Sequence, residues 1–352
     1  MSLFRKNIRK IEKKLFTQNP GTLFKKNENM QGGEQILINN NFYADKFSFG
    51  GLNPDKIFYV IKRSPGAGMF SNLTFVLNHL KIAKENNFIP FVDMQEYPSI
   101  YNELNKIYNT YNSWEYFFEN VSNFKLHEIY KSKNVIITKN KFNDSFSLWL
   151  DKDKSLIELL RNDIQLKKHI LNTYNRIKKN YFDKKKVLGI HFRGTTYKNS
   201  AGHPLPATKK QIYNLIKKVL EKEKVDYIFL STEEKNYLNF LKKKFNSKII
   251  YFKSSYRSDV NDAFKIYPRT KHRYKLGREI LIESMLLSSS NYFIFTDSNV
   301  SSFALSINLE PKQKIFKINN GYNSLNRYIC PWLWYYKSLM PNFLGGFKNN
   351  IL

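Results

Sequence analysis

An α/β protein built from two doubly wound parallel sheets is predicted by three observations. Short apolar runs of buried-strand character alternate with helix-period segments in both halves of the chain. At 352 residues the chain exceeds one typical core, so two domains are expected. Hydrophobic residues make up 42% and aromatic residues 16%, a composition that fills real cores and is far from disordered.

In the first half, IFYVIK at residues 57–62 predicts a strand. The loop RSPGAGMFSN follows, then a helix with Leu73, Val76, Leu77 and Leu80 on one face. FIPFVDM, residues 88–94, ends on Asp93 and completes a β-α-β unit. From about residue 97 to 181 the pattern is more helical and rich in aromatics, with NSWEYFFEN at residues 112–120 standing out. The basic stretch RIKKNYFDKKK, residues 176–186, has the character of a linker or domain edge.

The second half alternates more cleanly. A strand at residues 187–192 precedes a helix with Ile212, Leu215, Ile216, Val219 and Leu220 on one face. DYIFLS (226–231), a helix to about Phe245, KIIYF (248–252), a long helix from about Tyr274 to Leu287, NYFIFT (291–296), a short helix and KIFKI (314–318) complete it. The tail RYICPWLWYYKSLM is aromatic enough to pack back across both halves. The expected organisation is a basic segment over residues 1–20, a first domain over 21–183, a second over 184–325 and the aromatic tail over 326–352.

The formal charge of +29 admits an anionic substrate, an anionic membrane surface, nucleic acid, or plain compositional bias toward lysine. One cysteine, Cys330, excludes an intrachain disulfide and fits a reducing cytoplasm. No apolar run approaches the ~20 residues that span a bilayer. In SLFRKNIRKIEKKLF, residues 2–16, Phe4, Ile8, Ile11 and Leu15 fall on one helical face and basic residues fill the rest. That pattern fits a helix lying on an anionic membrane, and equally one packed on its own protein. A cytoplasmic protein, peripheral on the inner face of the membrane, is the corresponding expectation. The aromatics sit in strand and helix runs, where core packing is the default, and no nucleic-acid-binding motif is present, so no nucleic acid partner is expected.

Chemistry is expected where strands end, because ligands of parallel α/β sheets collect at their carboxyl ends. VLGIHFRGTTYKNSAGHP, residues 187–204, puts His191 and Arg193 there. An arginine fork donates two hydrogen bonds at once and suits a phosphate. Gly66 and Gly68 lie between a strand and a helix, where a backbone can approach an anion, although a tight turn accounts for them as well. In STEE, residues 231–234, Thr232 is placed to cap a helix with Glu233 and Glu234 in its first turn. TDSNVSSF, residues 296–303, offers Ser298, Ser301 and Ser302 at a strand-to-helix turn. Scattered histidines, with no HExxH and no CxxC, give no metal signature, and no metal is expected.

Three segments in order, GIHFRGTTY, DYIFLSTEEKNYLNFLKKKF and NYFIFTDSNVSSFAL, resemble the three peptide motifs of the fucosyltransferase superfamily. The superfamily includes α1,6-, α1,2-, nodulation and protein O-fucosyltransferases. Upstream, GAGMFSNLTFVLNHLKIAKENNFIPFVD resembles its glycine loop and helix. The resemblance implies a GT-B-like fold of two Rossmann-like domains facing a cleft, with the sugar nucleotide on the second. It also implies transfer of fucose from GDP-fucose to a glycan or lipid-linked saccharide, with inversion and no bound metal or cofactor.

Carried onto this chain, the resemblance places Arg193 at the donor diphosphate, His191 at the nucleotide, Ser298 at a phosphate and Glu283 at the guanine edge. Thr232, Glu233 and Glu234 match the polar loop of the second motif; Gly66, Gly68, Asn72, Ser301 and Ser302 complete the expected donor-binding set. The chain departs from the pattern where Gly194 follows Arg193 in place of a second arginine and where Thr196 stands for an aspartate. Its loop also lacks the glutamate that serves as base in the α1,6 enzymes. By position His203 is the leading candidate base, with Glu234 and Asp93 as alternatives. A donor sugar other than fucose, or a non-enzymatic nucleic-acid-binding or lectin-like role, stays open at this level.

Overall fold

The computed structural model describes residues 33–38 and 42–348, and forms two α/β units. The predicted basic helix at residues 2–16 lies outside the described residues. The first unit comprises the described residues up to Ile170 together with Pro268–Arg278; the second comprises Leu171–Tyr267 and the residues from Glu279 onward.

The first unit contains strands β1 (Glu34–Ile38), β2 (Phe42–Phe47) and β3 (Leu52–Ile61), helix α1 (Met69–Glu85) and strand β4 (Ile89–Val92). Short helix α2 (Leu126–Ile129), strand β5 (Ser132–Thr138) and helix α3 (Lys154–Asp163) follow. The sheet order is β1-β2-β5-β3-β4. Strands β4, β3 and β5 run parallel, and β1 and β2 add an antiparallel edge. The predicted β3-α1-β4 unit is present, and Leu73, Val76, Leu77 and Leu80 are all buried.

Three strands of this sheet are additions to the sequence prediction. β1 and β2 form an edge hairpin whose outward face carries Leu37 and Tyr43, each about half exposed, so no clean apolar run marks it. β5 keeps only Val135, Ile136 and Ile137 as an apolar run inside a polar, lysine-flanked stretch. The NSWEYFFEN segment supplies core, with Trp114, Tyr116, Phe117 and Phe118 each at most 2% exposed.

The second unit begins in helix α4 (Lys168–Tyr181) and continues with β6 (Val187–His191), α5 (Lys209–Lys222), β7 (Tyr227–Ser231), α6 (Lys235–Phe245) and β8 (Ile249–Ile250). Then come α7 (His272–Ser288), β9 (Tyr292–Phe295), α8 (Asn299–Ile307), β10 (Lys314–Lys317) and α9 (Cys330–Leu339). The basic stretch expected as a linker is therefore helical through Tyr181. Tyr174 holds this helix to the second unit through a 2.6 Å hydroxyl contact with Ser289, and Phe182 packs edge-on against Phe229. Hence the division falls near Ile170 rather than at residue 183, and α7 contributes to both units.

The second sheet is parallel throughout, in the order β10-β9-β6-β7-β8. Counted along the unit this is 3-2-1-4-5 from the β8 edge, the order of a dinucleotide-binding half. Its core joins Leu188, Ile190, Ile228, Leu230 and Ile294 to the inward faces of α5 and α6. Both faces are covered, which is why these strands are continuous apolar runs. The tail helix α9 clusters with the second unit, where Trp334 Nε1 donates to the Pro206 carbonyl at 2.8 Å and Asn323 donates to the Cys330 carbonyl at 2.9 Å. No described helix is long and apolar enough to cross a membrane.

Candidate functional site

The order reverses between β6 and β9, and this switch point is where an open α/β sheet leaves a crevice at its carboxyl edge. His191 ends β6 opposite Ser231 of β7, and Ile190 pairs with Ile294 of β9. The three loops singled out from sequence therefore leave the sheet side by side.

Ser298 is the N-cap of α8 and closes a capping box with Ser301. The Ser301 amide donates to Ser298 Oγ at 3.1 Å and the Ser298 amide donates to Ser301 Oγ at 3.0 Å. Ser301 Oγ also donates to the Thr296 carbonyl at 3.0 Å. Ser298 Oγ lies 3.2 Å from His191 Nδ1, joining the two sides of the switch point. Ser302 is buried one position further, its amide on the Ser298 carbonyl at 2.9 Å. His191 is itself 4% exposed. Burial, with the Arg193 charge adding to it, pushes its pKa down to about 3, so its ring is neutral.

Arg193 stands just beyond the strand. Its guanidinium lies 4.2 Å over the Tyr197 ring and 3.4 Å from a Glu233 carboxylate oxygen. The His203 ring packs on Tyr197 at 4.8 Å between centroids. Burial and the Arg193 charge hold His203 below the usual imidazole pKa, which favours the neutral, proton-accepting form. Tyr197 is thus a member of the site that sequence reading passed over. Its signal was available: an aromatic four residues after the arginine and six before the histidine, in one loop.

Two expectations for the second loop are corrected. Thr232 does not cap the following helix. Its hydroxyl donates to the Phe192 carbonyl at 2.7 Å, tying the ends of β6 and β7 together. Glu234, not Thr232, is the N-cap of α6, and its side chain makes no cap bond. Instead Glu234 is 5% exposed and accepts from Lys198 Nζ at 2.7 Å, the geometry of a positioning carboxylate and not of an available base.

Glu283 on α7 is buried with both oxygens engaged. Ser231 Oγ donates to Oε2 at 2.6 Å, Ser255 Oγ donates to Oε1 at 2.5 Å, and Arg257 lies 3.5 Å from Oε1. Burial raises its pKa, and Arg257 and the two serines act against that rise.

Gly66, Gly68 and Asn72 belong to the first unit. Gly66 has φ +74°, and a Cβ there would approach Asn72 Oδ1 to 2.7 Å. Asn72 latches the loop, accepting from the Ala67 amide at 2.9 Å and donating to the Ala67 carbonyl at 3.0 Å. Gly68 is the N-cap of α1 and provides no side-chain cap. Asp93 also lies in this unit, fully buried, with Tyr130 donating to it at 2.7 Å and the Gln95 and Glu96 amides at 2.9 Å. Burial raises its pKa to about 7. Among the described residues no three His, Cys, Asp or Glu side chains cluster as metal ligands.

No family model matches the chain, and no curated protein does. Solved structures do resemble it. The crystal structure of NodZ α-1,6-fucosyltransferase soaked with GDP-fucose aligns at 15% identity and TM-score 0.49, over 75% of this chain and 95% of that one. A selenomethionine form of NodZ from Bradyrhizobium gives the same values. A mutant of Arabidopsis thaliana FUT1 in complex with GDP aligns at 10% identity and TM-score 0.41, over 76% of this chain and 71% of that one. POFUT1 in complex with GDP-fucose aligns at 8% identity and TM-score 0.35, over 74% of this chain and 73% of that one.

Proposed function

We propose that this protein is an inverting, metal-independent glycosyltransferase that moves fucose from GDP-fucose to a glycan or lipid-linked saccharide. The observation that carries the reading is the Arg193 guanidinium at the switch point beside the Ser298-capped N-terminus of α8. Both are sources of positive potential, suited to the diphosphate of a sugar nucleotide. The three motif-like segments narrow that donor to GDP-fucose.

In the proposed step the acceptor hydroxyl oxygen bonds to the anomeric carbon as the bond from that carbon to the phosphate oxygen breaks. The bond's electron pair leaves with GDP, whose growing negative charge is met by Arg193 and the α8 terminus. The hydroxyl proton passes to the neutral imidazole of His203. Attack on the face opposite the leaving group inverts the centre. Glu234 and Tyr197 hold Lys198, Arg193 and His203 in place. We further place the protein in the cytoplasm, with residues 2–16 resting on the inner face of the membrane.

The test is thermal stabilisation by GDP, UDP, ADP and CMP and their sugars, followed by transfer from GDP-fucose. A ligand at a hundredfold excess over its Kd adds about 2.7 kcal/mol to the folded state. Selective response to GDP and GDP-fucose supports the reading. Equal responses to all four nucleotides, or none, overturn the donor assignment. Unchanged binding to anionic liposomes after deletion of residues 1–16 overturns the membrane placement.

A further inference from the structure

The second unit contains a pocket of about 600 Å³ that shares Lys198 and Glu234, but none of the proposed donor-contacting groups, with the transfer site. Lys198, Lys209, Lys210, Glu234, Tyr237 and Trp334 form its chemically distinctive walls, and Arg193, His191 and Ser298 are not among them. We propose that this pocket binds an acidic saccharide, a sugar ring carrying a carboxylate or a phosphate.

The charge is the first argument. Glu234 neutralises Lys198, which leaves Lys209 and Lys210 in excess. These two occupy the first turn of α5, where no acidic residue is present. A helix N-terminus is already positive and favours carboxylates, so cations there are disfavoured. A bound anion turns that penalty into an attraction. Asn236 brings the first turn of α6 to the same pocket, but its amide already donates to the Asp259 carboxylate at 2.8 Å, so the excess positive charge is that of the lysine pair on α5.

The walls are the second argument. Trp334 is anchored by its Nε1 bond to Pro206, and Lys198 Nζ lies 5.1 Å from its ring centre and 4.9 Å from that of Tyr237. The Trp334 face beside these ammonium groups suits the apolar face of a sugar ring with an acidic substituent, and Tyr237, only 3% exposed and stacked on Phe192 at 3.7 Å between centroids, backs the wall. A pocket of this volume far exceeds what a lone phosphate requires.

The site does not depend on the donor assignment, and its test does not use transfer. Glucuronate, glucose 6-phosphate, neutral glucose and inorganic phosphate are titrated into the full chain by ligand-observed NMR. Expected is binding of glucuronate, glucose 6-phosphate or both at least about tenfold tighter than glucose, a difference of about 1.4 kcal/mol. That binding falls about tenfold or more in Lys209→Ala/Lys210→Ala and in Trp334→Ala, while the far-UV CD spectrum of the lysine variant is retained. Equal binding of glucose, phosphate binding as tightly as glucose 6-phosphate, or affinity unchanged in the double lysine variant each overturns it. The lysine pair is on the surface, so its outcome stands even where Trp334→Ala unfolds the tail.

Discussion

Glu234 occupies the space that a side chain at position 194 requires: a Cβ added to Gly194 would overlap the Glu234 carboxylate and crowd the Tyr237 ring. Departure from the paired-arginine pattern is therefore built into the packing. A glutamate clamped by Lys198 fills the space beside Gly194.

Gly194→Ala is accordingly expected to destabilise the second unit by about 1–3 kcal/mol, the usual cost of overpacking. Glu234→Ala alone leaves the half-buried Lys198 without its carboxylate partner and is also destabilising. In the double variant the added methyl fills the vacated space, so its loss is smaller than the sum of the two. Urea denaturation of all four proteins measures this coupling, and strict additivity would refute the steric account.

Arg193→Ala is expected to abolish the GDP-dependent thermal shift while the far-UV CD spectrum is retained. Arg193→Lys should recover only part of the shift, because an ammonium lacks the planar fork and its stacking on Tyr197. Full GDP response in Arg193→Ala removes the residue from the donor site.

Most of the second sheet was legible because parallel strands covered on both faces are apolar along their whole length, as in Leu188, Ile190, Ile228 and Leu230. β1 and β2 were not, since one face of that hairpin is open and its pattern is broken by Tyr43 and Asp45. At the site, strand ends located Arg193 and His191, yet the direction of side chains was invisible. Thr232 and Glu234 sit at cap-like positions in sequence, but the first turns back to Phe192 and the second to Lys198. Tyr197 lies at a readable spacing between Arg193 and His203, but its stacking on both depends on side-chain directions that the sequence does not show.

His203→Ala is expected to lower kcat by about 10²–10⁴-fold, with a smaller effect on KM, as for loss of a general base. If His203 serves as the base of the proposed transfer, the rate in the unaltered protein should fall on the acid side below pH 6.5, because the folded-state pKa of His203 lies beneath the ordinary imidazole value. That acid limb should vanish in His203→Gln. An unchanged limb would assign the base elsewhere.

Acid stability gives a test of the buried histidines. His79 and His191 each have a pKa pushed down to about 3 by burial, against 6.5 in the unfolded chain. Between those values the unfolded chain binds one more proton at each site, so stability rises with pH and is lost as pH falls from 6.5 toward 3. Each site contributes about 1.4 kcal/mol per pH unit well inside that window. His79 belongs to the first unit, where it meets Tyr59 OH at 2.9 Å inside a cage of Phe42, Phe75 and Phe146; His191 belongs to the second. Asp93, in the same unit as His79, has its carboxyl pKa raised to about 7 by burial and acts with the opposite sign over this range. His79→Phe should leave that contribution uncompensated: the first unit's stability should then fall as pH rises from 4 to 6, while the pH dependence of the second stays unchanged. Chemical denaturation followed by hydrogen exchange at resolved amides separates the two units. A pH dependence of the first unit that is the same with and without His79 would show that its unfolding is coupled to protons bound elsewhere than His79.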